Sequence, residues 1–231
     1  MLVKDWMTRE PIVISSKTSL DEAWRTMREN QVRHLPVIKK DRTIIGLVTL
    51  SDLLKAQPSP ATTLSVWEIN FLLGKMKVQD IMKTKIIVVD EQCPVEEAAL
   101  VMAEHKIGCL PVVRGKELAG IITETDLFKV FTEQLAARRT GVRLTLLLAD
   151  KKGELARLTG RVAEAGGNIL SLTTLPAPDS PHYVTTIKVE GIPQDELIKA
   201  VSPVAAKIVD VREGRGWGME GFAPYHWTLE R

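Results

Sequence analysis

Two short stretches of the chain place a threonine three residues before an aspartate in the same local sequence. Residues 46–52 read Gly-Leu-Val-Thr-Leu-Ser-Asp, and residues 120–126 read Gly-Ile-Ile-Thr-Glu-Thr-Asp. An aspartate at the start of a helix can accept two hydrogen bonds from a ribose diol, while a threonine hydroxyl and backbone N–H groups face phosphate. Thr49 with Asp52 and Thr123 with Asp126 are therefore candidates for nucleotide contact. The alternative is structural, with the aspartates stabilised by the helix dipole and the threonines acting as caps.

The two stretches belong to a longer internal repeat. Residues 3–14 align with residues 78–89 at an offset of 75 positions, and the offset becomes 74 where Gly46 aligns with Gly120. Each copy contains a short β-rich run, a helix with an apolar stripe, two apolar runs separated by a polar turn, and a second helix. The sequence predicts two units, each with the order β-α-β-β-α. Their first strands are expected at 12–14 and 86–89.

This order, together with the doubled G-h-h-T-x-x-D motif, resembles the CBS domain, whose tandem pair is called a Bateman module. The resemblance covers roughly residues 1–135 and implies a first CBS domain at 1–56, a linker helix at 57–77 and a second CBS domain at 78–135. It implies an adenine nucleotide of the AMP, ADP or ATP type, or S-adenosylmethionine, as a regulatory ligand and no catalytic cofactor. It also implies that each ligand cleft combines residues of both copies.

We name the two implied clefts after their aspartates. The resemblance assigns these residues to the Asp52 cleft: Arg33, His34, Leu47, Thr49, Asp52, Met82, Ile87, Ile107, Gly108 and Cys109. It assigns these to the Asp126 cleft: Gly108, Cys109, Ile121, Thr123, Asp126, Met7, Ile12, Val32 and Arg33. The pair Arg33-His34 stands where the second copy has Gly108-Cys109, and a guanidinium binds phosphate in a forked, charge-assisted way. We therefore expect tighter binding in the Asp52 cleft, with a surface ion pair as the alternative role of Arg33.

The segment between the repeats predicts a further helix, which begins in Ser65-Val-Trp-Glu68. The S-x-x-E spacing is typical of a capping box, and apolar residues from Val66 to Met76 recur along one face. That face packs either within the chain or in a dimer contact.

The second half of the chain has a different pattern. An apolar run begins at Arg143, a helical stripe follows Gly153, and two β-branched runs flank a Pro/Asp/Ser loop before a second helix and a last strand. The order βαββαβ is that of a ferredoxin-like unit. The predicted fold class is thus α+β, with two β-α-β-β-α units followed by a ferredoxin-like domain.

This second unit resembles an ACT domain over roughly residues 142–212, on the strength of D-x-x-G at 150–153 and Gly167-Asn168-Ile169. The ACT family commonly senses amino acids at a domain interface. The residues that the resemblance assigns to such a site are Asp150, Lys152, Gly153, Glu154, Leu155, Asn168 and Ile169. Lys152 departs from the proline that many members have at this position. The alternative is that the turn residues only satisfy local geometry and the domain serves dimerisation.

The residues after the ACT-like unit, 213–231, alternate glycine with Trp217, Phe222, Tyr225 and Trp227. This density of aromatic residues favours docking, either on the chain's own domain or on a partner. The arrangement of two CBS copies, a linker helix and an ACT domain resembles the bacterial AcuB-like family of acetoin-utilisation proteins. The resemblance to CBS and ACT families also implies a homodimer or a higher homo-oligomer.

Composition narrows the function classes. The net charge of +2 over 231 residues is too small for the chain as a whole to bind nucleic acid or an anionic membrane electrostatically. No apolar run approaches the ~18 residues of a membrane helix. The two cysteines form no CxxC pair and no leader opens the chain, so a cytoplasmic location is expected.

The four histidines are scattered, at 34, 105, 182 and 226, and none stands at metal-ligand spacing from another, so neither catalysis nor a metal site is expected. The leading hypothesis is a sensor in which nucleotide in the CBS clefts, together with an amino acid or small metabolite at the ACT domain, controls an unknown partner protein. The alternative is a non-catalytic oligomerisation scaffold whose clefts stay empty.

Overall fold

A computed structural model describes residues 1–56, 75–178 and 181–215, and the chain divides into two compact units, Met1–Phe128 and Lys129–Arg231. The predicted helix that begins at Ser65 and the aromatic tail beyond residue 215 lie outside the described residues.

The first repeat has the predicted helices and hairpin. Its elements are α1 (Leu20–Glu29), β1 (His34–Ile38), β2 (Ile44–Thr49) and α2 (Leu50–Ala56). Ser19 caps α1, because its hydroxyl oxygen accepts a hydrogen bond from the Glu22 N–H at 3.2 Å. The strand expected at 12–14 is reduced to a single parallel bridge between Ile14 and Val37.

The second repeat has the same order. Its elements are β3 (Val89–Asp90), α3 (Val95–His105), β4 (Cys109–Arg114), β5 (Glu117–Thr123) and α4 (Glu124–Gln134). β3 pairs in parallel with β4, which is antiparallel to β5. The first strand is shorter than the expected 86–89, because Ile86 packs on the apolar cluster between the two hairpins instead of continuing the ladder.

The amino-terminal segments of the two repeats are exchanged. Thr8, from the first repeat, forms two backbone hydrogen bonds with Ile121 of β5, at 2.9 and 3.0 Å. Lys83, from the second repeat, does the same with Leu47 of β2, both at 3.0 Å. Each hairpin therefore receives a segment of the other repeat beside its G-h-h-T-x-x-D motif.

The glycine of the repeated motif is explained by this crossing. A Cβ atom added to Gly46 would lie 2.9 Å from Met82 Sδ and 3.0 Å from the Lys83 carbonyl oxygen. A Cβ atom added to Gly120 would lie 2.6 Å from Met7 Sδ and 2.7 Å from the Thr8 carbonyl oxygen. Only a residue without a side chain lets the exchanged segment lie this close to the strand.

The second unit has the predicted βαββαβ order. Its elements are β6 (Thr140–Ala149), α5 (Glu154–Glu164), β7 (Asn168–Pro176), β8 (His182–Glu190), α6 (Gln194–Val201) and β9 (Lys207–Arg215). The sheet order is β7-β8-β6-β9 with every pairing antiparallel, as in a ferredoxin-like fold. Leu144, Leu146 and Leu148 of β6 alternate into a core that is shared with Leu158 of α5 and Leu197 of α6. The ferredoxin-like prediction is confirmed.

Thr185 is the one described residue whose buried side-chain oxygen has no hydrogen-bond partner, and its side chain is completely buried. We expect Thr185→Val to raise the free energy of unfolding by about 1 kcal/mol, because a methyl group of the same shape removes an unsatisfied buried hydroxyl. Urea unfolding followed by circular dichroism measures the change.

The matched control is Thr145→Val in the same sheet. The Thr145 hydroxyl is hydrogen-bonded to the Thr186 hydroxyl at 3.0 Å, so the same substitution is expected to lower the free energy of unfolding there by about 1 kcal/mol. Destabilisation by both variants would contradict the interpretation of Thr185.

No helix among the described residues is both long and apolar enough to cross a membrane.

Candidate functional site

The Asp52 cleft is a cavity of about 560 Å³ between the two repeats. This volume lies in the range of small-molecule sites. Its lining residues are Arg33, His34, Leu47, Thr49, Leu50, Ser51, Leu54, Lys83, Lys85, Ile86, Ile87, Lys106, Ile107, Gly108, Cys109 and Glu124. Eight of the ten residues expected in this cleft are among them, and Asp52 and Met82 are not.

The lining divides into an apolar part and a cationic part. Leu47, Ile86, Ile87 and Ile107 supply apolar surface. The cations are Arg33, Lys83, Lys85 and Lys106, and the one carboxylate in the lining is Glu124. A flat apolar base and an anionic group are complementary to these two parts.

The three lysines of the Asp52 cleft were missed in the sequence. The internal repeat carried a usable signal, because the offset of 75 places them opposite Thr8, Glu10 and Gln31. A comparison of charge at equivalent positions would have marked the cleft as cationic.

Thr49 and Asp52 form a closed hydrogen-bonded pair at the start of α2. Asp52 Oδ2 accepts bonds from the Thr49 N–H at 2.9 Å and from the Thr49 hydroxyl at 2.6 Å, while the Asp52 N–H donates to Thr49 Oγ1 at 3.3 Å. The structural role considered for these residues is therefore present. It occupies Oδ2, whereas Oδ1 lies 3.4 Å from Lys83 Nζ.

The Asp52 carboxyl is held in its charged form. Burial by itself would raise the pKa of Asp52, but the hydrogen bonds from Thr49 and the charge of Lys83 outweigh burial and lower the pKa below its usual value. An ionised carboxylate oxygen is a strong acceptor for the hydroxyls of a ribose diol.

The Asp126 cleft is a second cavity of about 520 Å³. Its lining residues are Thr8, Glu10, Pro11, Ile12, Asn30, Gln31, Val32, Arg33, His34, Gly108, Ile121, Thr123, Glu124, Thr125 and Asp126. The Thr–Asp pair is repeated, because Asp126 Oδ2 accepts from the Thr123 N–H at 3.0 Å and from the Thr123 hydroxyl at 2.8 Å. Of the residues expected here, Met7 and Cys109 are not in the lining.

Met7 and Met82, which were expected around the base, are not in the lining of either cleft. Both side chains lie across the motif glycines, Gly120 and Gly46, where the exchanged segments cross the strands. Cys109 lines only the Asp52 cleft, and burial raises the pKa of its thiol to about 12.

Arg33 and His34 lie at the border between the clefts and line both of them. Sequence reasoning placed Arg33 in both clefts but His34 only in the Asp52 cleft. Burial, and then the charge of Arg33, lowers the pKa of His34 below its ordinary value. At neutral pH the imidazole is therefore uncharged, and the difference in charge between the clefts comes from other residues.

A third cavity of about 640 Å³ lies in the first unit and is lined by Lys4, Met7, Arg9, Glu10, Arg42, Glu91, Gln92, Arg114, Glu117, Leu118 and Ala119. Arg114 is already engaged there, since its guanidinium donates to both oxygens of Glu91 at 2.7 and 2.8 Å. No sequence motif pointed to this cavity.

The residues expected to form a ligand site in the second unit are not brought together within one copy. The turn at 150–153 follows Ala149, which pairs with His182 at one end of β8, whereas Asn168 pairs with Glu190 at the other end. Eight residues of extended strand span about 27 Å. One small ligand therefore cannot contact the turn and Asn168 of the same chain.

Several of these residues have a role in the local structure of the second unit. Gly153 precedes α5 with a φ of 91°, a conformation that favours glycine. The Asn168 side-chain amide donates to Glu190 Oε1 at 2.9 Å, and Arg139 binds the same carboxylate. Glu154 pairs with Arg157 at 2.9 Å.

Among residues 1–56, 75–178 and 181–215, no group of three or more histidine, cysteine, aspartate or glutamate side chains is arranged to hold a metal ion.

Comparison with known proteins finds a CBS domain in each of the two repeats. The family model of the CBS domain matches residues 3–59 and 78–133. A CBS domain-containing protein of Dictyostelium discoideum is 32% identical over 136 residues, which are 58% of this chain and 94% of that protein. An uncharacterized protein of Methanocaldococcus jannaschii is 34% identical over 154 residues, 65% of this chain but 36% of that longer protein.

A solved structure gives a similar result. A protein from Vibrio cholerae that is assigned to acetoin utilization (AcuB) is 32% identical and covers 59% of this chain and 93% of its own, with a TM-score of 0.51.

Proposed function

Because the chain belongs to the CBS domain family, we propose that it is a non-catalytic regulatory protein that binds an adenine nucleotide in the Asp52 cleft. The observation that carries the proposal is the convergence of four cations from both repeats on a cavity with an apolar wall, which Thr49 lines and beside which Thr49 is hydrogen-bonded to Asp52. The candidate ligands are AMP, ADP, ATP and S-adenosylmethionine, and the four cations favour the phosphorylated ones.

Each part of a nucleotide has a complementary group in this cleft. The base packs on Leu47, Ile87 and Ile107, and the ribose hydroxyls donate to Asp52 Oδ1, the oxygen that Thr49 leaves unused. Arg33 offers forked hydrogen bonds to the phosphate, and the lysines add charge.

Binding would act on the geometry of the repeats, because the ligand contacts both. Arg33 and Thr49 belong to the first repeat, whereas Lys83, Lys85 and Lys106 belong to the second. A phosphate between them offsets the mutual repulsion of these cations and favours the arrangement in which they are closest. Regulation requires that the ligand bind one arrangement more tightly than the other.

For the second unit we propose an ACT-type role in a homodimer. The two groups of candidate residues lie at opposite ends of the sheet, so an amino-acid site built from them requires the turn at 150–153 of one chain and Asn168 of another. The proposal that the unit only serves dimerisation needs no such site.

The proposal is tested by calorimetric titration of AMP, ADP, ATP and S-adenosylmethionine into the full chain and into Asp52→Ala. We expect saturable binding of at least one phosphorylated nucleotide, weakened at least about tenfold in Asp52→Ala, because hydrogen bonds to a charged group contribute about 1.5–3 kcal/mol. Asp126→Ala is the matched control, with little effect expected on the tighter site.

The absence of binding by any of the four ligands at millimolar concentration would favour the scaffold alternative. A scaffold should keep its oligomeric state, measured by light scattering, in Asp52→Ala and Asp126→Ala and in the presence of every ligand.

A further inference from the structure

We propose that the Asp126 cleft binds an unphosphorylated adenine nucleoside with a positively charged group at its ribose 5′ position, while the Asp52 cleft binds a phosphorylated one. The inference rests on the proposed function, since it assumes that both clefts receive adenosine-like ligands. The inference concerns the charged lining residues that distinguish the two clefts.

The two clefts are built from equivalent positions of the repeat. Thr123 and Asp126 repeat the hydrogen bonds of Thr49 and Asp52, with hydroxyl-to-carboxylate distances of 2.8 and 2.6 Å. Apolar residues are also kept, because Ile121 and Ile12 line the Asp126 cleft where Leu47 and Ile87 line the other. The groups that would hold ribose and base are therefore present in both clefts.

The groups that would meet a 5′ substituent are different. Each lysine of the Asp52 cleft has a non-basic residue at the equivalent position of the Asp126 cleft, and each of these residues is in the lining. The equivalent pairs are Lys83 and Thr8, Lys85 and Glu10, and Lys106 and Gln31. Leu50, at the start of α2, is replaced in the same way by Glu124 at the start of α4.

The charge of the lining is thereby reversed. Apart from the equivalent motif aspartates Asp52 and Asp126, four cations and one carboxylate, Glu124, line the Asp52 cleft, whereas one cation, Arg33, and two carboxylates, Glu10 and Glu124, line the Asp126 cleft. His34 borders both clefts and is uncharged at neutral pH, so it does not alter the comparison.

A dianionic phosphate in the Asp126 cleft would lie near Glu10, at the position where the other cleft has Lys85, and near Glu124, which borders both clefts but faces no lysine in this one. Like charges at such distances repel, and the effect persists in partly exposed clefts within one Debye length of about 8 Å. A cationic 5′ substituent reverses the sign of both interactions. The geometry thus retains the nucleoside and excludes the phosphate.

Three probes that share base and ribose separate charge from shape: 5′-amino-5′-deoxyadenosine, adenosine and AMP. We expect calorimetry on the full chain with Asp52→Ala, which leaves the Asp126 cleft as the main site, to rank the affinities in that order. Adding Glu10→Gln should weaken the amino probe about fivefold and leave adenosine unchanged, because one interaction between unit charges is removed.

Two controls keep the result interpretable. Glu117→Gln removes an equally exposed carboxylate from the neighbouring third cavity and should change neither probe. Glu10→Gln in the otherwise native chain should weaken only the amino probe, which tests the inference even if Asp52→Ala does not fold.

The inference is overturned if AMP binds the Asp126 cleft as tightly as the amino probe, or if Glu10→Gln weakens adenosine equally. Either result leaves nucleotide binding in the Asp52 cleft intact. Absence of binding by all three probes to the native chain would overturn the proposed function as well.

Discussion

Replacing the three lysines of the Asp52 cleft by the residues at their equivalent positions, as Lys83→Thr, Lys85→Glu and Lys106→Gln together, is expected to weaken AMP binding about a hundredfold. The variant changes the charge of the lining by four units. Each unit contributes about 1 kcal/mol at 4 Å in water, and screening by salt lowers the total to about 2–3 kcal/mol. Calorimetric titration at constant ionic strength measures the loss.

The neutral nucleoside adenosine is the control ligand for this variant. Its affinity should change less than about threefold, because no charged group of adenosine faces the substituted positions. The loss of AMP affinity should also shrink as salt concentration rises. Equal losses for AMP and adenosine would mean that the lysines shape the cleft rather than supply charge to it.

The reciprocal variant carries Thr8→Lys, Glu10→Lys and Gln31→Lys in the Asp126 cleft. It should create a second AMP site, which would appear as an increase in stoichiometry. All six positions are exposed, so neither variant removes a core contact.

The internal repeat made the first unit predictable to the level of helices and hairpins. A doubled motif with a doubled apolar pattern restricts the fold far more than either copy does, and the boundaries of β1, β2, β4 and β5 follow from it. The first strands were overestimated. Apolar runs at 12–14 and 86–89 look like strands locally, but their side chains are used between the repeats and around the clefts.

The lining of the clefts was less predictable, because it depends on the direction in which the exchanged segments cross the hairpins. Nothing in the spacing of Met7 or Met82 indicates that each covers a glycine of the other repeat and is left out of the cleft lining. The same crossing brings Lys83 and Lys85 into the Asp52 cleft from a segment that reads as an ordinary polar turn.

In the second unit the fold was predictable from the sequence, but the arrangement of the candidate site was not. Alternating apolar residues and glycine turns were enough to predict the ferredoxin-like order. The candidate site was not predictable from spacing, because the turn at 150–153 and Asn168 are close in sequence but lie at opposite ends of an antiparallel sheet. Sequence distance says little about which end of a strand a residue occupies.

Gly120→Ala is expected to lower the free energy of unfolding of the first unit by about 2–3 kcal/mol. The added Cβ would lie 2.6 Å from Met7 Sδ and 2.7 Å from the Thr8 carbonyl oxygen, well inside van der Waals contact. The methionine can rotate, but the Thr8 carbonyl accepts a hydrogen bond from the Ile121 N–H at 3.0 Å and cannot move without breaking the bridge. Overpacking of this kind costs about 1–3 kcal/mol, and loss of the bridge adds to it.

Two further glycine-to-alanine substitutions provide a comparison for Gly120→Ala in urea unfolding. Gly46→Ala should cost less, about 1–2 kcal/mol, because its added Cβ meets Met82 Sδ and the Lys83 carbonyl at 2.9 and 3.0 Å. Gly160→Ala lies within α5, where no atom is within 4 Å of the added Cβ, and should stabilise by about 0.5–1 kcal/mol through helix propensity. If all three substitutions were tolerated alike, the exchanged segments could not lie this close to the hairpins. The clefts that depend on those segments would then have a different shape. The order Gly120, Gly46, Gly160 therefore tests, without any ligand, the crossing on which both proposed sites depend.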